Sequence, residues 1–212
     1  MDKRFLIVMG VLITAFVGIF IYSGASNNEN NTIGQPSNHV KGGNSKNVEI
    51  LAFEDFQCPA CAQFEPIVSE VFNKYKNEIQ FRFRHFPIDS IHPNARAASR
   101  TAEAAGSQGK FFEMYDILFA RQQQWASSDN AKTTFESYAK ELNLDIDKFN
   151  QDFESEATNS TINADKQLGN DNGVEGTPTF YLNGQKLDSN EIQTVEGFSK
   201  KIEEAIAKST NQ

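Results

Sequence analysis

Cysteine is almost missing from this chain: Cys58 and Cys61 are the only two among 212 residues. That leaves no second pair to complete a four-cysteine zinc site. His39, His85 and His92 show no metal-ligand spacing among themselves, so no metal site is expected. An excess of basic charge is also missing. Against 28 acidic residues stand 20 Lys and Arg, a net charge of −8, which disfavours nucleic acid as a partner. Large apolar side chains are nearly absent from Ser23 to Lys46, a stretch of Asn, Ser and Gly around Pro36. Such a segment cannot build a core and reads as a flexible linker over residues 23–46.

One long apolar run is present. Lys3 and Arg4 precede Phe5 to Tyr22, which holds no charge and has Thr14 as its clearly polar member. Secretory apolar regions run to about 15 residues, so this length predicts a retained signal-anchor over residues 1–22. The basic end then stays inside, and everything after Tyr22 lies outside the cytoplasm. The alternative is a protein secreted after cleavage near Ala25, where Ser23-Gly24-Ala25 offers small residues. Either route carries both cysteines out of the cytoplasm, where a chain that handles disulfides gains by having no others to mispair.

Cys58-Pro59-Ala60-Cys61 falls where a strand pattern gives way to a helical one. Thiols three positions apart on a first helical turn project to the same side, close enough to form a disulfide in place. At the helix start Cys58 meets unpaired N–H groups and the positive end of the macrodipole, which favour its thiolate; Cys61 is the resolving partner. Pro59 suits a first helical position, which needs no N–H. On its own the pattern also fits half a zinc site or two buried thiols.

The surrounding periodicities define a fold. Val48, Ile50, Leu51, Ala52 and Phe53 read as a buried strand, and folding is expected to begin near Asn47. Phe64, Ile67, Val68, Val71, Phe72 and Tyr75 follow at helical spacing, with Pro66 expected to kink the helix. Ile79 to Phe86 alternates as a second strand, giving a βαβ unit with parallel strands and the cysteines at the carboxyl end of the first. Residues 94–168 are helical throughout, with Trp125 reading as a loop residue between patterns. Thr177 to Leu182, Asn183-Gly184 and Gln185 to Leu187 form a hairpin, and Val195, Phe198, Ile202 and Ile206 a last helix. The fold class is α/β, with residues 47–212 as one domain interrupted by a helical insertion.

This order of elements looks like a thioredoxin fold and resembles the bacterial DsbA-like thiol:disulfide oxidoreductases. The resemblance is carried by Phe53-Glu54-Asp55-Phe56-Gln57-Cys58-Pro59-Ala60-Cys61, His92-Pro93-Asn94-Ala95, Gln108-Gly109-Lys110-Phe111-Phe112 and Gly176-Thr177-Pro178-Thr179-Phe180. It implies catalysis by Cys58 and Cys61 without cofactor. It also implies a cis bond at Thr177-Pro178 beside the thiols, with the Thr177 backbone binding an extended substrate segment. The implied partners are exported proteins bearing thiols and a quinone-linked reoxidising protein in the membrane. Family members commonly bury an acid six residues before the first cysteine, where this chain has Ala52; Glu54 and Glu65 are the nearest candidates for a proton relay. Ala60 stands where a histidine supplies a positive partner in strongly oxidising members. The expected Cys58 pKa therefore lies above their extreme of about 3.5 but below a free thiol. A dithiol oxidase is the leading expectation; a reductase or isomerase of the same fold, or a non-catalytic peptide-binding or holdase module, are the alternatives.

Overall fold

The two central strands follow directly from their side-chain patterns. Along Ile79–His85 (β3) every second residue is buried, whereas Val48–Glu54 (β2) ends in three consecutive buried residues because both its faces are covered. In the computed structural model, which describes residues 34–210, β2 and β3 pair in parallel from Val48 opposite Ile79 to Glu54 opposite His85. The crossover between them is helix α1 (Pro59–Tyr75), continuous through Pro66, which buries Cys61, Val68, Val71, Phe72 and Tyr75. On the other side of β2, Thr179–Leu182 (β4) pairs antiparallel and turns at Asn183 and Gly184 into Gln185–Lys186 (β5). Both turn residues have positive φ, 48° and 79°, as a two-residue hairpin turn requires.

The helical insertion runs through Ala95–Gly106 (α2), Phe111–Ala120 (α3), Gln122–Trp125 (α4), Ala131–Glu141 (α5), Ile146–Glu154 (α6) and Glu156–Asp171 (α7), and Val195–Thr210 (α8) closes the fold. Most of the core, including Phe56, Phe81, Phe83, Tyr115 and Phe198, forms one cluster with the thiols. A smaller cluster of Phe53, Phe86, Val174 and Tyr181 is joined by Leu168 of α7. There α7 comes so close that a Cβ on Gly169 would lie 2.6 Å from the Phe86 ring. Trp125 is not an exposed loop residue: it is fully buried, packs edge-on against Phe135 and donates from Nε1 to the Leu118 carbonyl at 3.0 Å.

The linker expectation needs a second correction. His39–Gly42 forms strand β1, antiparallel to β3, giving the sheet order β1-β3-β2-β4-β5. Ahead of it, Ser37 donates from its amide and hydroxyl to Asp165 at 2.9 and 2.6 Å. β1 is invisible to hydropathy because polar groups tie it down: His39 bonds Glu103, and Lys41 lies over aromatic rings. The expected signal-anchor and the first part of the linker lie outside the described residues. Among the described residues no helix is long and apolar enough to cross a membrane.

The docking of β1 depends on a close approach at Gly42, where φ is +105° and an added Cβ would stand 2.3 Å from the Ile79 carbonyl. Gly42→Ala is therefore expected to cost about 1–3 kcal/mol of stability. An unchanged denaturation midpoint in urea would show that the strand can shift without loss.

Candidate active site

The local chain geometry presents the two thiols differently. Cys58 caps α1 with an extended backbone (φ −66°, ψ 120°), Pro59 takes the first turn, and no side chain caps the helix. The N–H groups of Ala60 and Cys61 are thereby left to the Cys58 sulfur. Cys58 is 7% exposed and Cys61 fully buried; both are free thiols. The hydrogen bond from the Cys61 thiol, reinforced by Thr177 and by those two amides, outweighs burial and brings the Cys58 pKa down to about 5. Cys61 moves the other way: burial, the bond it gives to Cys58 and the charge of Glu54 hold it well above an ordinary thiol. One thiol is thus an anion at neutral pH and the other keeps its proton. The sequence-based expectation for Cys58, between about 3.5 and a free thiol, agrees with this value. Alkylation of reduced protein should follow a titration with midpoint near 5, and thiolate at pH 7 should be about 30-fold more abundant than for a free cysteine. A midpoint near about 8.5 would remove the helix-start argument.

The Thr177-Pro178 bond is cis. In the thiol form Cys58 donates from Sγ to the Thr177 carbonyl at 3.3 Å; the Thr177 hydroxyl, buried and otherwise without a partner, is the side-chain donor that favours the thiolate once that proton is lost. Clefts lie to either side: one of about 540 Å³ touches Pro59, Ala62, Gln63 and Phe119, and one of about 430 Å³ touches Pro178, Phe180, Leu187 and Ile192.

Of the two glutamates expected as a relay, the structure brings Glu54 to the thiols. β2 runs on past Phe53, so Glu54 is fully buried, and burial above all pushes its pKa up to about 8. Its Oε2 accepts from the Tyr115 hydroxyl at 3.1 Å, and its Oε1 has no partner. Glu65 is part-exposed; burial raises its pKa, with Asp116 adding to the rise and Lys41 opposing it. Its influence on the site is through charge, on Glu54, Tyr115 and Lys41.

Three contributors escaped the sequence. Lys41 projects from β1 with its ammonium 4.8 Å from the centroids of Phe72 and Phe112 and 5.4 Å from that of Tyr115, and burial lowers its pKa. Tyr115 comes from α3. Gln122 donates from Nε2 to the carbonyls of Phe56 and Cys58 at 2.7 and 3.0 Å, tying the insertion to the loop that carries the thiol. Asp55 braces that loop by accepting from the amides of Gln57 and Ile88 and from His92 Nδ1, all within 2.8 Å. Asp55, Phe56, Gln57, Cys58, His92 and Phe112 belong to motifs legible beforehand, but Lys41, Tyr115 and Gln122 do not, because they reach the site from elements far apart in the chain.

The family model for thioredoxin matches residues 35–204. BdbD from Bacillus subtilis superposes with a TM-score of 0.71 at 20% identity, covering 82% of this chain and 97% of its own. Alpha-DsbA1 from Wolbachia pipientis gives 0.70 at 20% identity over 85% of this chain and 97% of its own. A thioredoxin-like oxidoreductase from Silicibacter pomeroyi gives 0.67 at 22% identity, over 88% and 99%. At these identities the likeness is one of fold. In sequence, 169 residues are 35% identical to part of the Na(+)/H(+) antiporter NhaA 1 of Salinispora arenicola, covering 80% of this chain. The chain spans about a quarter of the length of the curated relatives it matches.

Proposed function

The chain belongs to the thioredoxin family and has the DsbA-like form of its fold, and on that premise we propose that it is a protein thiol:disulfide oxidoreductase acting as a dithiol oxidase outside the cytoplasm. The observation that carries the reading is the split between the two thiols, with Cys58 lowered to about 5 and Cys61 held high by burial. The disulfide form has no thiolate to stabilise, so every interaction that favours the Cys58 anion favours the reduced protein and makes the disulfide a better oxidant.

In the oxidising direction a substrate thiolate attacks Cys58 Sγ, the Cys58–Cys61 bond breaks, and Cys61 leaves as a thiolate. Glu54, protonated below about pH 8, supplies the proton that Cys61 takes up. A second substrate thiolate then attacks its own sulfur in the mixed disulfide and expels Cys58 as the stabilised anion. The substrate leaves with a disulfide and the protein holds the two electrons as a dithiol. The Thr177 carbonyl beside Cys58 offers an acceptor for an extended substrate segment during the mixed-disulfide stage. The apolar run Phe5 to Tyr22 behind Lys3 and Arg4 supports a single-pass anchor with the domain outside. Recycling falls to a quinone-linked partner in that membrane, and the substrates are exported proteins with free thiols.

Two measurements test the direction. Equilibrium with glutathione should give a couple more negative than about −120 mV, the value of the strongest oxidants of this kind. Rapid acid trapping in living cells should find Cys58 and Cys61 mostly disulfide-bonded. A reduced steady state would overturn the oxidase reading in favour of reduction or isomerisation.

A further inference from the structure

His39, His85 and Glu103 are separated along the chain but converge at one end of β3. His39 is the first residue of β1, His85 the last of β3, and Glu103 lies on α2. Both imidazole Nε2 atoms stand 2.7 Å from the same carboxylate oxygen, Oε1 of Glu103, and one ligand atom from each residue lies within 4.8 Å of the others. Two imidazoles on one oxygen make an incomplete hydrogen-bond set, since His85 Nδ1 is left buried with no partner. The groups are also held in place beforehand. The His39 ring stacks on Phe111 with centroids 3.5 Å apart and planes 7° from parallel, and the His85 ring meets Phe83 edge-on at 4.9 Å. The His85 amide is anchored to Asp165 at 3.0 Å, and that carboxylate also accepts both Ser37 bonds.

We propose that His39, His85 and Glu103 form a binding site for a divalent transition-metal ion of the zinc type, which clamps β1 and α2 to the end of β3. Two imidazole nitrogens and one carboxylate oxygen are a borderline donor set that suits zinc, whereas an oxygen-only set would suit calcium. His85 is fully buried, while the side chains of His39 and Glu103 keep 17% and 14% exposure, so the cluster is in contact with solvent, from which an ion and a fourth, water ligand would come. Binding replaces the shared oxygen contact with three metal bonds that span the described N-terminal strand, the sheet and the insertion. A four-residue edge strand paired on one side gains most from such a clamp. The site is independent of the thiols and of the proposed oxidase activity.

Free thiolates are zinc ligands in general, so the test uses the full chain with Cys58→Ser and Cys61→Ser together, stripped with chelator and titrated with Zn²⁺ in a calorimeter. One ion per chain is expected at micromolar affinity or tighter, with thermal unfolding shifting upward as Zn²⁺ is added. Glu103→Gln and, separately, His39→Gln should each weaken binding at least 100-fold while circular dichroism shows a folded domain. X-ray absorption at the zinc edge should show only nitrogen and oxygen donors, with an imidazole signature. Absence of stoichiometric binding overturns the proposal. So does binding that both variants leave unchanged, or an absorption spectrum without imidazole. If either variant fails to fold, the absorption spectrum of the parent decides.

Discussion

Cys58→Ser is expected to abolish disulfide exchange with any dithiol, while Cys61→Ser turns the protein into a trap for its substrates. Attack must fall on the sulfur that a substrate thiolate can reach, and that is Cys58 at the helix start rather than the fully buried Cys61. In the second step it is again Cys58, with its lowered pKa, that is expelled as the stable anion. In Cys61→Ser the Cys58 thiolate attacks a disulfide of the substrate and expels one of its sulfurs as a thiolate, and without Cys61 the resulting mixed disulfide loses its intramolecular exit. It should persist long enough to be isolated on a non-reducing gel. The two replacements at position 61 should also differ from each other. The bond from Cys61 is the largest influence lowering the Cys58 pKa. Serine keeps a donor there and should leave the alkylation midpoint near 5, whereas alanine should raise it. Equal midpoints for the two would show that the helix start alone sets the pKa. Retained exchange by Cys58→Ser would end the assignment of Cys58 as the reacting sulfur.

Glu54→Gln is expected to slow oxidation of a dithiol peptide by about 100-fold, through the step that protonates departing Cys61. Glutamine keeps the size of the side chain and an acceptor for the Tyr115 hydroxyl, so packing is preserved while the exchangeable proton is lost. The pH profile separates this role from a structural one. Wild-type oxidation should fall as pH rises through about 8, where Glu54 loses its proton, and the variant should lack that limb. In the variant, stability should move in the opposite sense to rate. The folded pKa of Glu54 is raised above its unfolded value of 4.5, so its contribution is fully present below 4.5 and is lost as pH rises toward 8. At pH 7 this burial costs about 3 kcal/mol as an order of magnitude, and Glu54→Gln should recover part of it. A variant that is slower and no more stable, with the alkaline limb intact, would remove Glu54 from the proton path.

Much of this architecture is legible in the chain because it rests on short-range rules. The alternation at Ile79–His85, the helical spacing after Cys61 and the Asn183-Gly184 turn identify β3, α1 and the β4–β5 hairpin, since each depends on residues close in sequence. The burial of Trp125 is not legible in its flanks because Phe135 and the Leu118 carbonyl on neighbouring helices decide it. β1 leaves no hydropathy signal because polar contacts hold it: Ser37 just ahead of it bonds Asp165, His39 bonds Glu103, and Lys41 lies in a cage of aromatic rings.

By itself the sequence determined which atoms can do chemistry: two sulfurs three positions apart at a strand-to-helix junction, with a proline between them and no other thiol to compete. Only the tertiary structure decided what those atoms are at neutral pH. Ionisation depends on the distance to donors and on the depth of burial: the Cys61 thiol, Thr177 and the amides of Cys61 and Ala60 favour the Cys58 anion, while burial and the charge of Glu54, a group itself influenced by Tyr115 and Lys41, keep the proton on Cys61. The same reason hides the His39–His85–Glu103 cluster: convergence in space leaves no trace in spacing when each member belongs to a different element.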